Sequence, residues 1–329
     1  MSMQMQPIFA HLPWFIKQSI VDHLDAVNKL NVRRCSKELN THVLKSPTQY
    51  KFLTVSVHQD CVAIVVAIDW EKKIFLKFQN NSDGAGYTVK EEKTNWEEKS
   101  LEKKYEEGDD VTGSVEYLMR KVFGNKNIGF YNCHFELASS HESAEYLERS
   151  KRFLSLLKAS LLEKKHQISV EEVFIKYYDN HEDLLNILSL LKPGYLNKIA
   201  LFGRSSGMEQ VMELDQWKRA KKLEAADYQG ALITGFSEMS NFEDVKLECA
   251  FLSLQTVKNF VKLISDNLRM KRINVAALGS DKRDIKRYMK VLKTSAAYTD
   301  LRIKFIRNSE IFIERVKRSR RNASKRDNF

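Results

Sequence analysis

Apolar residues recur at helical steps near the front of the chain, then at steps of two, and then switch between the two periods. Leu12, Phe15, Ile16, Ile20 and Leu24 share one face at intervals of three and four, the spacing of an amphipathic helix. Pro13 suits the first turn, where its missing N–H costs nothing. Asp25 and Asn28 are candidate caps for a short second helix, and Leu30, Val32, Cys35, Leu39 and Val43 carry the pattern into a further one. That helix should end near Ser46-Pro47, because the residue before proline avoids helical dihedrals. A unit of roughly 35 residues buries too little apolar surface to stand alone, so it needs the rest of the chain or a partner.

Strand periodicity takes over from Tyr50 to Lys90. Leu53, Val55 and Val57 alternate with Phe52, Thr54 and Ser56, Cys61 to Trp70 is β-branched and apolar, and Ile74 to Phe78 alternates again. Turn formers at Asn80-Asn81-Ser82-Asp83-Gly84 separate such runs. Three or four antiparallel strands are expected, then a helix over Val115 to Phe123 and a strand over Asn127 to Leu137. Between them, Lys90 to Asp110 is a mixed-charge run that predicts a solvated loop or exposed helix. From Glu171 onwards, short strands centre on Ile175, Ala200, Ala225, Leu247 and Val275, at spacings of about 22 to 28 residues. Each is apolar at one parity, as at Val245, Leu247 and Cys249. Leu254, Val257, Phe260, Val261, Ile264 and Leu268 mark a helix between two of them, and Ser143 to Leu162 reads as an earlier helix. Strand plus helix at this period predicts a leucine-rich-repeat-like stack; a compact α/β domain with the same element order is the alternative.

Composition narrows the class. A hydrophobic content of 43% supports a real core, and 4 prolines with 12 glycines leave little for a flexible linker. The 4 cysteines (Cys35, Cys61, Cys133, Cys249) are scattered, which fits free thiols rather than a disulfide framework or a zinc site. No basic start followed by an apolar stretch marks a secretory leader. The longest apolar run, Cys61 to Ile68, is far short of the roughly 20 residues that cross a membrane. A cytoplasmic or nuclear protein, or one found in both, is expected. Much of the net charge of +11 lies at the end of the chain, where Arg315, Lys317, Arg318, Arg320 and Arg321 are candidates for nuclear import or contact with an acidic partner. Aromatic residues do not interleave with them, which disfavours nucleic acid as the partner.

Catalytic chemistry finds no set to work with. Gly203-Arg204-Ser205-Ser206-Gly207 has the spacing of a nucleophile elbow, but in that fold the histidine follows the serine, and all 8 histidines precede Ser205. A turn with a serine cap is the simpler expectation. Asp22-His23 and Cys133-His134 are isolated pairs, whereas a metal needs three or four converging ligands. There is no phosphate-binding glycine motif. No catalytic residue, metal or cofactor is therefore expected.

Two stretches resemble known families. The order Leu12-Pro13, Ile20, Leu24, Leu30, then Val32-Arg33-Arg34-Cys35-Ser36-Lys37 and Leu39 is similar to that of the F-box, with Trp14-Phe15 where an acidic residue often stands. The runs Leu190-Leu191-Lys192-Pro193-Gly194-Tyr195-Leu196 and Met212-Glu213-Leu214-Asp215-Gln216-Trp217-Lys218 resemble the F-box-associated FTH region of nematode F-box proteins, as do Ala220-Lys221-Lys222-Leu223 and Phe242-Glu243-Asp244-Val245. The resemblance implies an α+β to α/β chain: an F-box-like helical module at 8–47, an antiparallel strand region with a charged loop at 50–125, an FTH-like strand and helix repeat domain at 126–310 and a basic tail at 311–329. It also implies a substrate receptor without catalytic residues. Leu12, Pro13, Ile16, Ile20, Leu24, Leu30, Val32 and Cys35 would bind a Skp-type adaptor of a cullin-RING ubiquitin ligase, and the repeat domain would bind an unknown target protein. The alternatives are a helical hairpin packed on its own domain, and a basic module that binds protein or nucleic acid with no ligase role.

Overall fold

A computed structural model describes residues 12–24, 26–35, 39, 41–43, 48–94, 100–124, 127–137, 143–176, 181–203, 208–227, 237–294, 300–306 and 310–316. The fold is mixed α/β, and the chain divides into two compact units: residues 1–176 with 186–196, and residues 177–185 with 197–329.

In the first unit, α1 (Trp14–His23) and α2 (Ala26–Cys35) precede an antiparallel meander. Asn28, expected as a cap, lies inside α2. The meander has five strands: β1 (Thr48–Val57), β2 (Cys61–Ala67), β3 (Lys73–Asn80), β4 (Tyr87–Thr94) and β5 (Leu101–Tyr105). The mixed-charge run is thus neither wholly loop nor helix. Its two ends pair as β4 and β5, with Lys90 opposite Glu102 and their charged ends 3.6 Å apart. Opposite charges facing each other across a pair support a strand that has almost nothing to bury. Gly86, at φ +70°, lets the chain pass so close to Tyr105 that a Cβ would meet its carbonyl oxygen at 1.9 Å.

The chain returns through α3 (Asp110–Tyr117) and a π turn (Leu118–Val122) to β6 (Ile128–Glu136), which pairs parallel to β1. Helix α4 (Ala144–Glu163) leads to β7 (Ser169–Lys176), parallel to β6, so the strand order is β7-β6-β1-β2-β3-β4-β5. Asp109 caps α3, accepting from the amides of Val111 and Thr112 at 3.0 Å each. Arg152 and Arg149 of α4 pair with Asp109 and with the fully buried Asp110, which ties the two helices together over the sheet. Burial pushes the Asp109 carboxyl up, but the hydrogen bonds from Thr112 and Arg152 outweigh it and hold it below the usual range.

Aligned apolar rows build this core. Leu53, Cys133 and Val173 share one level across β1, β6 and β7, and Val55, Phe135 and Ile175 the next. Tyr50, Phe130 and Val170 are also buried, although they lie three residues before the first row instead of two or four. Alternation therefore slips by one residue, but the three strands slip together and keep their register.

In the second unit, β8 (Lys198–Phe202), β9 (Lys222–Asp227), β10 (Asp244–Leu252) and β11 (Arg272–Ser280) are parallel. The hairpin β12 (Leu301–Ile306) and β13 (Glu310–Arg315) completes the order β12-β13-β11-β10-β9-β8, with β13 antiparallel to β11. Ile199, Leu223, Val245, Ile273 and Ile313 form one buried row, and Leu201, Ala225, Leu247, Val275 and Ile311 the next; none is more than 2% exposed. Helix α5 (His181–Leu190) crosses the division between the units. Short helices α6 (Glu209–Met212) and α7 (Asp215–Arg219) precede β9, and α8 (Leu254–Asp266) and α9 (Lys282–Thr294) flank β11. Trp217 is fully buried with its ring edge-on to Phe242 at 5.1 Å, which fastens α7 beside the start of β10.

Arg315 is not part of a free basic tail. It ends β13, pairs with Asp300 at 2.6 Å and donates to the carbonyls of Ile264, Ser265 and Asn267, where a cation suits the C-terminus of α8. Lys317, Arg318, Arg320 and Arg321 lie outside the described residues, as do residues 204–207 of the glycine-serine turn.

Leu247 sits in mid-row between Ala225 and Val275, with little room for neighbours to collapse. Leu247→Ala should cost about 2–5 kcal/mol in urea unfolding, while Lys246→Ala, one residue along and facing outward, should cost about 1 kcal/mol or less.

Candidate docking surfaces

The inward face of α1 is not the one its apolar stripe marks. Val21 and Lys17 are its buried residues, and Gln18 ties the helix to His42 through both ends of its amide, at 3.0 Å to Nδ1 and 3.2 Å to the carbonyl. The stripe forms a shoulder beside this contact. Leu12, Ile16 and Leu24 are half-buried, Pro13 is exposed and Ile20 is 40% exposed. Trp14 and Phe15 stand out further, at 55% and 67%. On α2, Val32 is half-buried and Cys35 exposed; the side chain of Leu30 lies outside the described residues. The structure thus brings most of the residues expected at an adaptor interface onto one small helical unit with a partly uncovered apolar shoulder. A solvated helix has no folding reason for such a surface.

A second surface was not anticipated. The parity of the first unit's strands that faces away from α3 and α4 carries a row from Phe174 through His134, Thr54 and Val65 to Phe75. His134 stacks on Phe174 at 4.9 Å and 19°, and burial lowers its pKa. In the next row Lys73 lies 5.6 Å from the ring of Phe52, and nearby Lys51 lies 4.7 Å from Tyr131 and 5.8 Å from Trp70. Phe75, Tyr131 and Trp70 are 37%, 42% and 66% exposed. A signal was available: outward positions of a half-covered strand are expected to be polar, and Phe75 and Phe174 are not.

The same parity in the second unit is different in kind. Glu224 lies between Lys198 at 2.7 Å and Lys246 at 2.6 Å, Arg272 reaches Asp244 at 3.5 Å, and Arg302 reaches Glu314 at 2.9 Å. These pairs supply most of the charge on that face, which also holds Phe312, 6.0 Å from the Arg272 guanidinium, and the exposed Leu278. Burial pushes the Glu224 carboxyl up, but the two lysines more than offset it and hold it below the ordinary carboxylate range.

Sites for chemistry are sparse. The isolated pair Cys133-His134 splits across the sheet: Cys133 is fully buried, with burial raising its thiol pKa, while His134 points outward. Among the described residues no three His, Cys, Asp or Glu side chains converge as a metal site, and no helix is long and apolar enough to cross a membrane.

Residues 151–295, from the middle of α4 to the end of α9, match the family model of the FTH domain. No curated protein matches the chain. Within the matched stretch, the cluster around Trp217 acts in the core, since Gln216 and Trp217 are both buried.

The depressed Glu224 pKa has a pH consequence. Its stabilising contribution is complete above the unfolded carboxylate value, about 4.3, and fades as pH falls through the lower folded value. Glu224→Gln should be about 1 kcal/mol or less weaker than wild type at pH 7, the pairs being partly exposed. In urea unfolding across pH, that gap should close on acidification and not on moving towards pH 8.

Proposed function

We propose that this chain is a substrate receptor of a cullin-RING ubiquitin ligase. On this reading, the shoulder around Pro13, Ile16 and Ile20 docks on a Skp-type adaptor as an F-box does, and the FTH region with its leucine-rich-repeat-like strands holds a target protein. The observation that carries it is the pairing of an FTH match at residues 151–295 with an F-box-like helical unit whose apolar shoulder is partly uncovered. The chain would act by proximity, raising the concentration of target beside the ligase, and would supply no catalytic group. Such a receptor works in the cytoplasm, the nucleus or both. A second reading, a basic binding module without a ligase role, is favoured by the charge of α9, whose sequence KRDIKRYMKVLKT has a single acid.

Adaptor capture separates the two. The full chain should co-purify with a Skp-type adaptor. Phe15→Ser with Ile20→Glu should weaken that capture at least tenfold, a loss of about 1.4 kcal/mol, with the thermal midpoint unchanged because both side chains are exposed. Capture that survives these changes at full strength overturns the receptor reading. Salt-sensitive binding of nucleic acid by a chain that captures no adaptor supports the second.

A further inference from the structure

Among the described residues, strand β12 is paired on one side only. In its hairpin, Val316 N–H donates to the Asp300 carbonyl at 2.8 Å, which makes 300 with 316 a hydrogen-bonded pair. Antiparallel pairing alternates, so the N–H and C=O groups of Arg302, Lys304 and Ile306 turn inward to β13, and those of Leu301, Ile303 and Phe305 turn outward. Among the described residues, no strand takes these outward groups. The edge also borders a groove of about 560 Å³ between β12 and α9. Lys286 and Lys290 stand beside a floor that includes Met289, Ile303 and Phe305, Lys286 Nζ lies 5.8 Å from the Phe305 ring, and Lys304, of the other parity of β12, borders the groove. The exposed face of α9 adds Arg283 and Arg287, against which the helix sets only Asp284.

We propose that this edge takes an extended acidic segment of a partner protein by strand addition. The segment's backbone pairs with Leu301, Ile303 and Phe305; on the α9 face its side chains set apolar groups over the floor and carboxylates on Lys286 and Lys290, and on the opposite face a carboxylate meets Lys304. Open backbone supplies affinity without sequence preference, and the groove supplies the choice of partner. Charge selects among occupants. A second copy pairing edge to edge, centred on Ile303, would set Arg302 against Lys304 of its neighbour, and like charges directly opposite oppose that contact. The chain's own last residues carry the same sign as the groove. Nucleic acid would meet the lysines but has no use for the open backbone or the apolar floor. The proposal deepens the receptor reading by naming the chemistry of a target, and it rests on that reading only in taking this region as a recognition surface.

The test uses the full chain and a fluorescent octapeptide, Glu-Thr-Val-Glu-Glu-Thr-Val-Glu, which places Glu and Val on one parity and Glu and Thr on the other. Anisotropy should show saturable binding, and Lys286→Glu with Lys290→Glu, both exposed, should weaken it at least tenfold while far-UV circular dichroism stays the same. Hydrogen exchange at the Ile303 and Phe305 amides should slow when peptide is bound. Absence of binding at millimolar peptide, binding indifferent to the double variant, or unchanged exchange at those amides overturns the proposal. So does displacement of the peptide by an oligothymidylate at lower concentration than unlabelled peptide, which would make the groove a nucleic-acid surface. Adaptor capture run in parallel keeps the two readings apart. A chain that binds peptide but captures no adaptor overturns the receptor reading alone, and one that captures adaptor but binds no peptide overturns the edge alone.

Discussion

Parallel strands have no tight turn to set their register, so the side chains must set it. In both units they do this by rows: Val55 beside Phe135 beside Ile175 in one, Leu201 through Ala225, Leu247 and Val275 to Ile311 in the other. A strand that slipped by one residue would carry Leu247 into solvent and push Lys246 and Glu248 under the helices. Two uncompensated charges would then be buried and a large apolar side chain lost from the core, which no loop contact offsets. The coordinated slip at Tyr50, Phe130 and Val170 obeys the same constraint, because an irregularity in one strand is tolerated only if its neighbours share it.

One-sided burial follows from these rows and leaves each unit with a second parity free to differ. In the second unit it is dominated by ion pairs around Glu224, partly exposed and individually weak, which favour one register between the strands. In the first it carries rings and cations together: His134 on Phe174, Lys73 against Phe52, Lys51 against Tyr131. Exposed rings such as Trp70 and Tyr131 resemble the hot-spot chemistry of protein contacts. Helices are held over the covered parity by specific links rather than by burial alone. The adjacent Asp109 and Asp110 meet Arg152 and Arg149 three residues apart on α4, matching one turn of that helix to the start of α3.

Much of this was legible locally. Leu53, Val55 and Val57 announce a strand, and Leu254 through Ile264 announce α8, because one period dominates each window. The charged stretch after Lys90 was misread for an equally physical reason. β5 is exposed along its whole length, so burial leaves no mark on its sequence and only cross-strand partners such as Glu102 for Lys90 define it. Arg315 shows the reverse error. Counted by charge it belongs to a basic run, yet Asp300 and the end of α8 claim it.

What the chain determined by itself is therefore the elements that bury a face and the parity each of those strands buries, since both are written in hydrophobic spacing within about ten residues. Tertiary structure alone decided which strands became neighbours, which parity was left as open surface and what that surface became. Phe75 and Phe174 are 99 residues apart and share one row only because β7, β6, β1, β2 and β3 pair in that order. Among the described residues β12 likewise has one unpaired edge only because β13 took its other side. Long-range pairing carries no local periodic signal, and for that reason these surfaces emerged only with the fold.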